Sequence, residues 1–563
     1  MEAYLPASPS STGLTVSPDL VGQAVWFGDD ARRSGIHLMG GPGSGKSRAL
    51  GRLLAWIDFL RGSPQVVLDP TGGTIDNFLD RLILQPPAVQ ELLWPRVRYV
   101  DLGASDSVTP MPLYRRRHAQ ESWFAVANRP LEIFRRIDPH LATASVEGWN
   151  ALFEAGIYAG QLAAALGLQV TEVADLLRQP KRWKIRCETL RATYTDLEPA
   201  LEYLREYARL KPELQRRRTG SLLTKLLPFL ADPAMQATFA ADREGISIPA
   251  VDHECLTLLV DGRHERDPVR RQFKLLWLFR LVTDYLKERG MAGRARPLGF
   301  IIDEVTQLLG FHSLENTVMA EDLEELVSVV ARNYGCNLTI AHQSLTQIAG
   351  ERIRNVLMQM GTQIIGLVHN PDDREYLARH FFRYDAYKVK KEEPVWMNVQ
   401  YGIGPYSGAA PKIIDHTTTE FTAEEQLIAV AERFRTLDRF CFLVRRAAGE
   451  GAVANALQEV SIAQLDAGRY PDEEQLAVAR RQLCQRDGFP VDDLLAEIRS
   501  RTRRALAEQP LNAHAILDTG EELTDEPTGA DRVPVPNSPA AAAAQKTVPP
   551  DGWRDDLWRH HAP

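Results

Sequence analysis

Short apolar runs, each ending in polar or turn residues, recur along the chain at 36–39, 65–70, 97–102, 255–261, 298–303, 337–341, 364–368 and 440–444. Runs of this length bounded by turns predict buried strands. Between them the apolar residues fall at helical spacing, most clearly after the first run, where Ala49, Leu50, Leu53, Leu54, Ile57 and Leu60 make one apolar face. Strand, helix and strand in this order predict βαβ units and a parallel sheet, hence an α/β fold. From about 104 to 245 the pattern changes: helical periodicity dominates at 143–166, 170–177, 195–210 and 221–230, and strand signals nearly vanish. The pattern therefore predicts an all-helical module at 104–245, inserted between two parts of the α/β domain at 21–103 and 246–446. A flexible lead, 1–20, precedes them. A helical, charged extension comes next at 447–518, then a tail, 519–563, rich in Pro, Ala, Asp and Thr and expected to be disordered. Trp553 and Trp558 in that tail read either as a short docking peptide or as nothing specific.

The chemistry begins between the first run and its helix. Gly40-Gly41-Pro42-Gly43-Ser44-Gly45-Lys46-Ser47 fits G-x-x-x-x-G-K-[ST] at every fixed position. Glycines let successive backbone N–H groups converge on a phosphate, with a helix N-terminus behind them. Lys46 would reach the β- and γ-phosphates and the Ser47 hydroxyl would ligate Mg²⁺. The stretch predicts binding of a nucleoside triphosphate, ATP.

Hydrolysis needs a metal anchor and a base as well. Phe300-Ile301-Ile302-Asp303-Glu304 supplies both, as an apolar strand ending in two carboxylates. Asp303 would hold Mg²⁺ or its water, and Glu304 would polarise the attacking water. A third run, 337–341, ends in His342-Gln343-Ser344, where the Gln343 amide, able to donate and accept, could sense the γ-phosphate.

Bulk properties narrow the class. At 563 residues the chain exceeds one compact core, and its 44% hydrophobic and 25% charged residues are ordinary for a soluble protein. No apolar run reaches the ~20 residues of a membrane span, and the first 17 residues lack the pattern of a signal peptide. The five cysteines lie far apart with no C-x-x-C, which argues for a reducing compartment and a cytoplasmic protein. Net charge is −8, which does not advertise a nucleic-acid binder, although whole-chain charge describes an outer surface more than a channel lining. Locally basic runs at 115–117, 181–184 and 216–218 read either as solvated helix faces or as contacts to nucleic acid or a partner.

The order GGPGSGKS, VVLDPTGG, FIIDEVTQLL, ARNYGCNLTIAHQSLTQI and MGTQIIGLVHNPDDREYLARHF, over about 22–445, resembles the conjugative coupling proteins of type IV secretion. More broadly it resembles the hexameric DNA-pumping ATPases that include the FtsK and HerA types. The resemblance implies a RecA-like motor domain working on DNA as a homohexameric ring, with ATP between subunits. It implies that Arg332 is an arginine finger reaching a neighbour's γ-phosphate; the residue also reads as a helix C-terminal cation. Relaxase or secretion-channel proteins would be the partners of a coupling protein, and a nuclease the partner of a HerA-like motor in DNA processing or defence. A scaffold that binds ATP without pumping is a further alternative. Two departures stand out. Coupling proteins usually begin with membrane helices, and none is found here. Gly73 also stands where the family often has an acidic residue, with only Arg32 and Arg33 near the family's arginine before the first strand.

Overall fold

The computed structural model describes residues 32–138, 146–291, 297–309, 317–330, 333–348, 350–401, 405, 408–446, 457–462 and 470–507, and the backbone of 3–6 and 24–27. The chain divides into two units, 1–509 and 510–563, and all of the described residues belong to the first. In chain order the first strands are β1 (Ala3–Pro6), β2 (Ala24–Phe27), β3 (Ile36–Met39), β4 (Gln65–Asp69), β5 (Val97–Asp101), β6 (Ser107–Val108) and β7 (Thr257–Asp261). They are followed by β8 (Leu298–Ile302), β9 (Cys336–His342), β10 (Thr362–Ile365), β11 (Val389–Tyr401) and β12 (Gly408–Glu420). The last are β13 (Cys441–Arg445), β14 (Gln458–Ser461) and β15 (Phe489–Pro490).

Nine strands form one sheet in the order β14-β13-β10-β3-β9-β8-β4-β7-β5. Every pairing from β10 to β5 is parallel, while β13 runs antiparallel to both β10 and β14. All eight apolar runs become strands of this sheet, so the expected α/β class with a mostly parallel sheet is the observed one. Successive strand residues face opposite ways: Val66 and Leu68 enter one core and Val67 the other. Both faces are covered, which is why the runs are continuously apolar instead of alternating.

One face carries the helix over 46–60 and the helix Gly73–Ile83. They approach closely at Gly51, where a Cβ would stand 2.2 Å from the Thr74 carbonyl oxygen. On the other face lies the helix Pro268–Met291, and against it a block of helices running from Trp123–Ile137 to Ile248–His253. The Ser122 hydroxyl starts that block by accepting from the Ala125 N–H at 3.1 Å. Phe134, Phe229 and Phe239 of the block pack edge-on or tilted against Phe273 of the long helix, with centroids 4.9–5.5 Å away.

Three features depart from the expected organisation. Ala3–Pro6, expected within an unstructured lead, pairs with Ala24–Phe27. The stretch 389–420, expected as part of the α/β domain, is a long antiparallel hairpin, β11 with β12, whose side chains are exposed on both faces. The extension after 447, expected to be helical, does form the helices Glu473–Asp487 and Val491–Ala507, but it also adds β14 to the main sheet and pairs β15 with β6. The tail with Trp553 and Trp558 lies outside the described residues. Among the described residues no helix is long and apolar enough to cross a membrane.

Candidate functional site

Parallel strands all end at one edge of the sheet, so the loops that leave them gather there. Here β3, β9 and β8 are neighbours in that order. Loop 40–47 leaves β3, Gln343 comes directly after β9, and Asp303-Glu304 directly after β8. Residues far apart in sequence therefore meet because the strand carrying Gln343 is slotted between the other two.

The loop is braced from both sides: the Gly40 N–H donates to the His342 carbonyl at 3.3 Å and the Gly41 N–H to the Leu367 carbonyl at 2.8 Å. Gly43 and Gly45 hold φ of 81° and 96°, a region that side chains disfavour. The helix over 46–60 starts here, and its Ala49–Ala55 stretch is wound as a π-helix, a form found often at functional sites.

Lys46 Nζ lies 2.7 Å from Asp303 Oδ1, 257 residues away in sequence, and is also hydrogen-bonded to Glu304 Oε1. Gln343 Nε2 donates to the same Glu304 oxygen at 2.8 Å. Asp303 Oδ2 accepts from Thr74 Oγ1 at 2.7 Å and faces Ser47 Oγ at 3.5 Å. Burial by itself would lower the Lys46 pKa, but the charges of Asp303 and Glu304 and the hydrogen bonds to both raise it above its ordinary value. The ammonium is therefore charged at neutral pH and matched to anions. Gly41, Pro42, Gly43, Ser44, Gly45, Lys46, Ser47, Glu304 and Gln343 line one cavity of about 340 Å³, a size typical of small-ligand sites. Gly40, bonded to the His342 carbonyl, does not line it.

Backbone strain is concentrated at this cavity. Among the described residues three non-glycines have positive φ, and two of them, Glu304 at 47° and Phe440 at 68°, line it. Such conformations cost roughly 1–3 kcal/mol each and persist where surrounding contacts over-determine them. For Glu304 those contacts are Lys46, Gln343 and its own N–H to Asp303 Oδ1 at 2.9 Å.

Below the loop, His37 of β3 and His342 of β9 are stacked and fully buried, with Nε2 atoms 2.7 Å apart. Gln363 Nε2 donates to the carbonyls of Leu357, Met358 and Met360, so its Oε1 faces His37 Nδ1. That places the His37 proton on Nδ1 and makes His342 Nε2–H the donor between the rings. The pair ties the strand before the phosphate loop to the strand before Gln343.

The structure thus brings together Lys46, Ser47, Asp303, Glu304 and Gln343. Arg332 lies outside the described residues. Sequence reasoning missed Thr74, whose signal was the last threonine of VVLDPTGGT, and it missed Arg48, Arg439 and Phe440, which also line the cavity. Phe440 carried no motif; only its backbone conformation marks it. Among the described residues no group of three or more His, Cys, Asp or Glu could hold a metal. Asp303 with the Ser47 hydroxyl instead offers the sparse oxygen set that suits Mg²⁺, which takes its remaining ligands from water and phosphate.

No family model matches the chain, and no curated protein matches it. Among solved structures, it is similar to the bacterial conjugative coupling protein TrwBΔN70 in its unbound form, with 16% identity, TM-score 0.45, 82% of this chain and 92% of that one. It is similar to the plasmid coupling protein TrwB in complex with ADP and Mg²⁺, with 14% identity, TM-score 0.45, 84% of this chain and 95% of that one. A third is VirB4 of Thermoanaerobacter pseudethanolicus, with 12% identity, TM-score 0.48, 82% of this chain and 100% of that one.

Proposed function

We propose that this chain is an ATP-hydrolysing motor that moves DNA through a homohexameric ring, of the kind that couples DNA to type IV secretion in conjugative transfer. One observation carries the hydrolytic part: Lys46, Glu304 and Gln343 meet at one cavity from three adjacent parallel strands, with Asp303 bonded to Lys46 behind them. The DNA and ring parts rest on the motif order along the chain.

In this reading the loop amides from Gly41 to Ser47 and the Lys46 ammonium hold the phosphates, which compete with Asp303 and Glu304 for that ammonium. Ser47 and Asp303 hold Mg²⁺, which when bound neutralises charge on the phosphate oxygens. Release of Lys46 to the phosphates frees Glu304 Oε1 to orient and deprotonate a water. Gln343, hydrogen-bonded to Glu304, couples that carboxylate to the end of β9 and so to the state of the γ-phosphate. Arg332 acts on the site of the next subunit. DNA is gripped through its backbone phosphates without sequence reading, so binding weakens steeply with salt.

The test is the ATPase rate with and without single- and double-stranded DNA, for the natural chain and for Glu304→Gln. DNA stimulation is expected, with a loss of roughly 10²–10⁴-fold on removing the base. A DNA-independent rate equal to that of Glu304→Gln would overturn the motor reading.

A further inference from the structure

The nucleotide cavity has lining residues to which the proposed phosphate chemistry gives no part. Besides the phosphate loop, Glu304 and Gln343 they include Arg48, Arg439 and Phe440. We propose that Phe440, flanked by these two arginines, is the platform on which the base of a bound nucleoside triphosphate stacks, and that the base is recognised by its face and not by its edges. The proposal rests on the nucleotide-binding reading and adds the part of the ligand that reading leaves unplaced.

Four observations support it. The Phe440 ring lies against the loop itself, so close that a Cβ on Gly45 would stand 2.4 Å from its Cδ1. Its backbone is held at φ 68° by its N–H to the Ser44 carbonyl at 3.0 Å and by its own carbonyl, which accepts from Ile462 at 2.9 Å. A bulky residue kept in a disfavoured conformation beside a cavity has its ring direction fixed by the fold. The guanidinium carbons of Arg48 and Arg439 stand 4.4 Å and 4.8 Å from the centre of that ring. Planar guanidiniums stack on aromatic rings and on bases alike, so a base entering between ring and guanidinium exchanges one stacked partner for another. Lastly, among the described residues Arg48 Nε is buried with no hydrogen-bond partner.

Edge reading would need an open amide, carboxylate or hydroxyl here. Asn77 is committed on both sides, accepting from Arg52 Nε at 3.1 Å and donating to the Gly73 carbonyl at 2.7 Å. Thr71 Oγ1 donates to Asp69, and Gln343 to Glu304. Ser44 Oγ, without a hydrogen-bond partner among the described residues, is turned against Gly40. Among the described lining residues what remains around Phe440 is cations and a π-face, which every base can meet. ATP and GTP should therefore bind alike.

The test is calorimetric titration of ATP, GTP and inorganic triphosphate, each with Mg²⁺, into the natural chain, Phe440→Gly and Phe440→Tyr. Glycine accepts the backbone conformation while removing the ring, so the loop keeps the hydrogen bond from the residue-440 N–H to the Ser44 carbonyl. Affinities for ATP and GTP within about tenfold of each other are expected. Phe440→Gly should weaken both by about 5- to 150-fold, the usual worth of one stacked base, and leave inorganic triphosphate unchanged, with Phe440→Tyr restoring both. The proposal is overturned if Phe440→Gly binds ATP like the natural chain, if it loses triphosphate in proportion, or if ATP and GTP differ by more than about a hundredfold. A natural chain that binds neither ATP nor triphosphate overturns the nucleotide reading itself, and this proposal with it.

Discussion

His37 shows how one residue ties stability to pH. Burial lowers its pKa to about 4, against a hydrogen bond to Gln363 that raises it, and the charge of His380 lowers it further. The folded chain therefore holds His37 neutral where the unfolded chain, with an ordinary value near 6.5, takes up a proton. Its contribution is fully present above about pH 6.5 and is lost as pH falls toward 4. By pH 5 the loss is about 2 kcal/mol, and His342, also pushed well below its ordinary value by burial, adds in the same direction. Denaturant unfolding between about pH 7.5 and 5 should show this fall, and the double variant His37→Gln with His342→Gln should flatten it; equal slopes in both proteins would refute the assignment. Lys46 belongs to the same scale. Lys46→Ala leaves two buried carboxylates without their cation, a change worth about 3–5 kcal/mol where a buried pair is broken. It is expected to lower the urea midpoint as well as abolish ATP binding.

At the scale of elements, the helix after the phosphate loop was legible from its apolar spacing, but its contact with Gly73–Ile83 was not. Gly51 permits that contact. Gly51→Val would drive a side chain into the Thr74 carbonyl and is expected to destabilise the chain by at least the roughly 1–3 kcal/mol typical of overpacking. The hairpin β11–β12 was illegible for a different reason. Lys390 to Glu393 and Pro394 are residues that strands disfavour, and with both faces exposed there is no alternation against a core to reveal it. The eight sheet strands seen in the sequence were easy because they are apolar runs covered on both faces and bounded by turns, whereas β14 is short and half-buried. The last parallel strand is Thr362–Ile365, and the two residues after it still bond its neighbour, the Gly366 N–H to the Met39 carbonyl and the Leu367 carbonyl to the Gly41 N–H of the phosphate loop.

For the whole molecule, the last of the described helices, Val491–Ala507, fastens the helical block. Arg501 Nη2 meets Glu172 Oε2 at 2.7 Å and its Nη1 the Ala240 carbonyl at 2.7 Å, both buried. Glu172→Ala strands that guanidinium and should lower unfolding free energy by about 3–5 kcal/mol; a change below about 1 kcal/mol would show the strap to be replaceable by water. Assembly is tested by mixing inactive Arg332→Ala subunits with inactive Lys46→Ala subunits. Regained ATPase activity is expected if a finger from one chain serves the loop of its neighbour, and none in proven mixed rings would remove Arg332 from the mechanism.

The sequence alone determined the α/β class, the phosphate loop and the carboxylate pair, because each is a local pattern: a run of apolar residues, a glycine spacing, two acids at a strand end. Strand order, which puts β9 between β3 and β8 and so seats Gln343 against Glu304, was decided only in three dimensions. So were the stacked histidines beneath the loop and Phe440 against the loop at the cavity. These contacts join residues tens to hundreds of positions apart, and their side chains obey no spacing rule, since what selects them is the register of parallel strands and the space left between them.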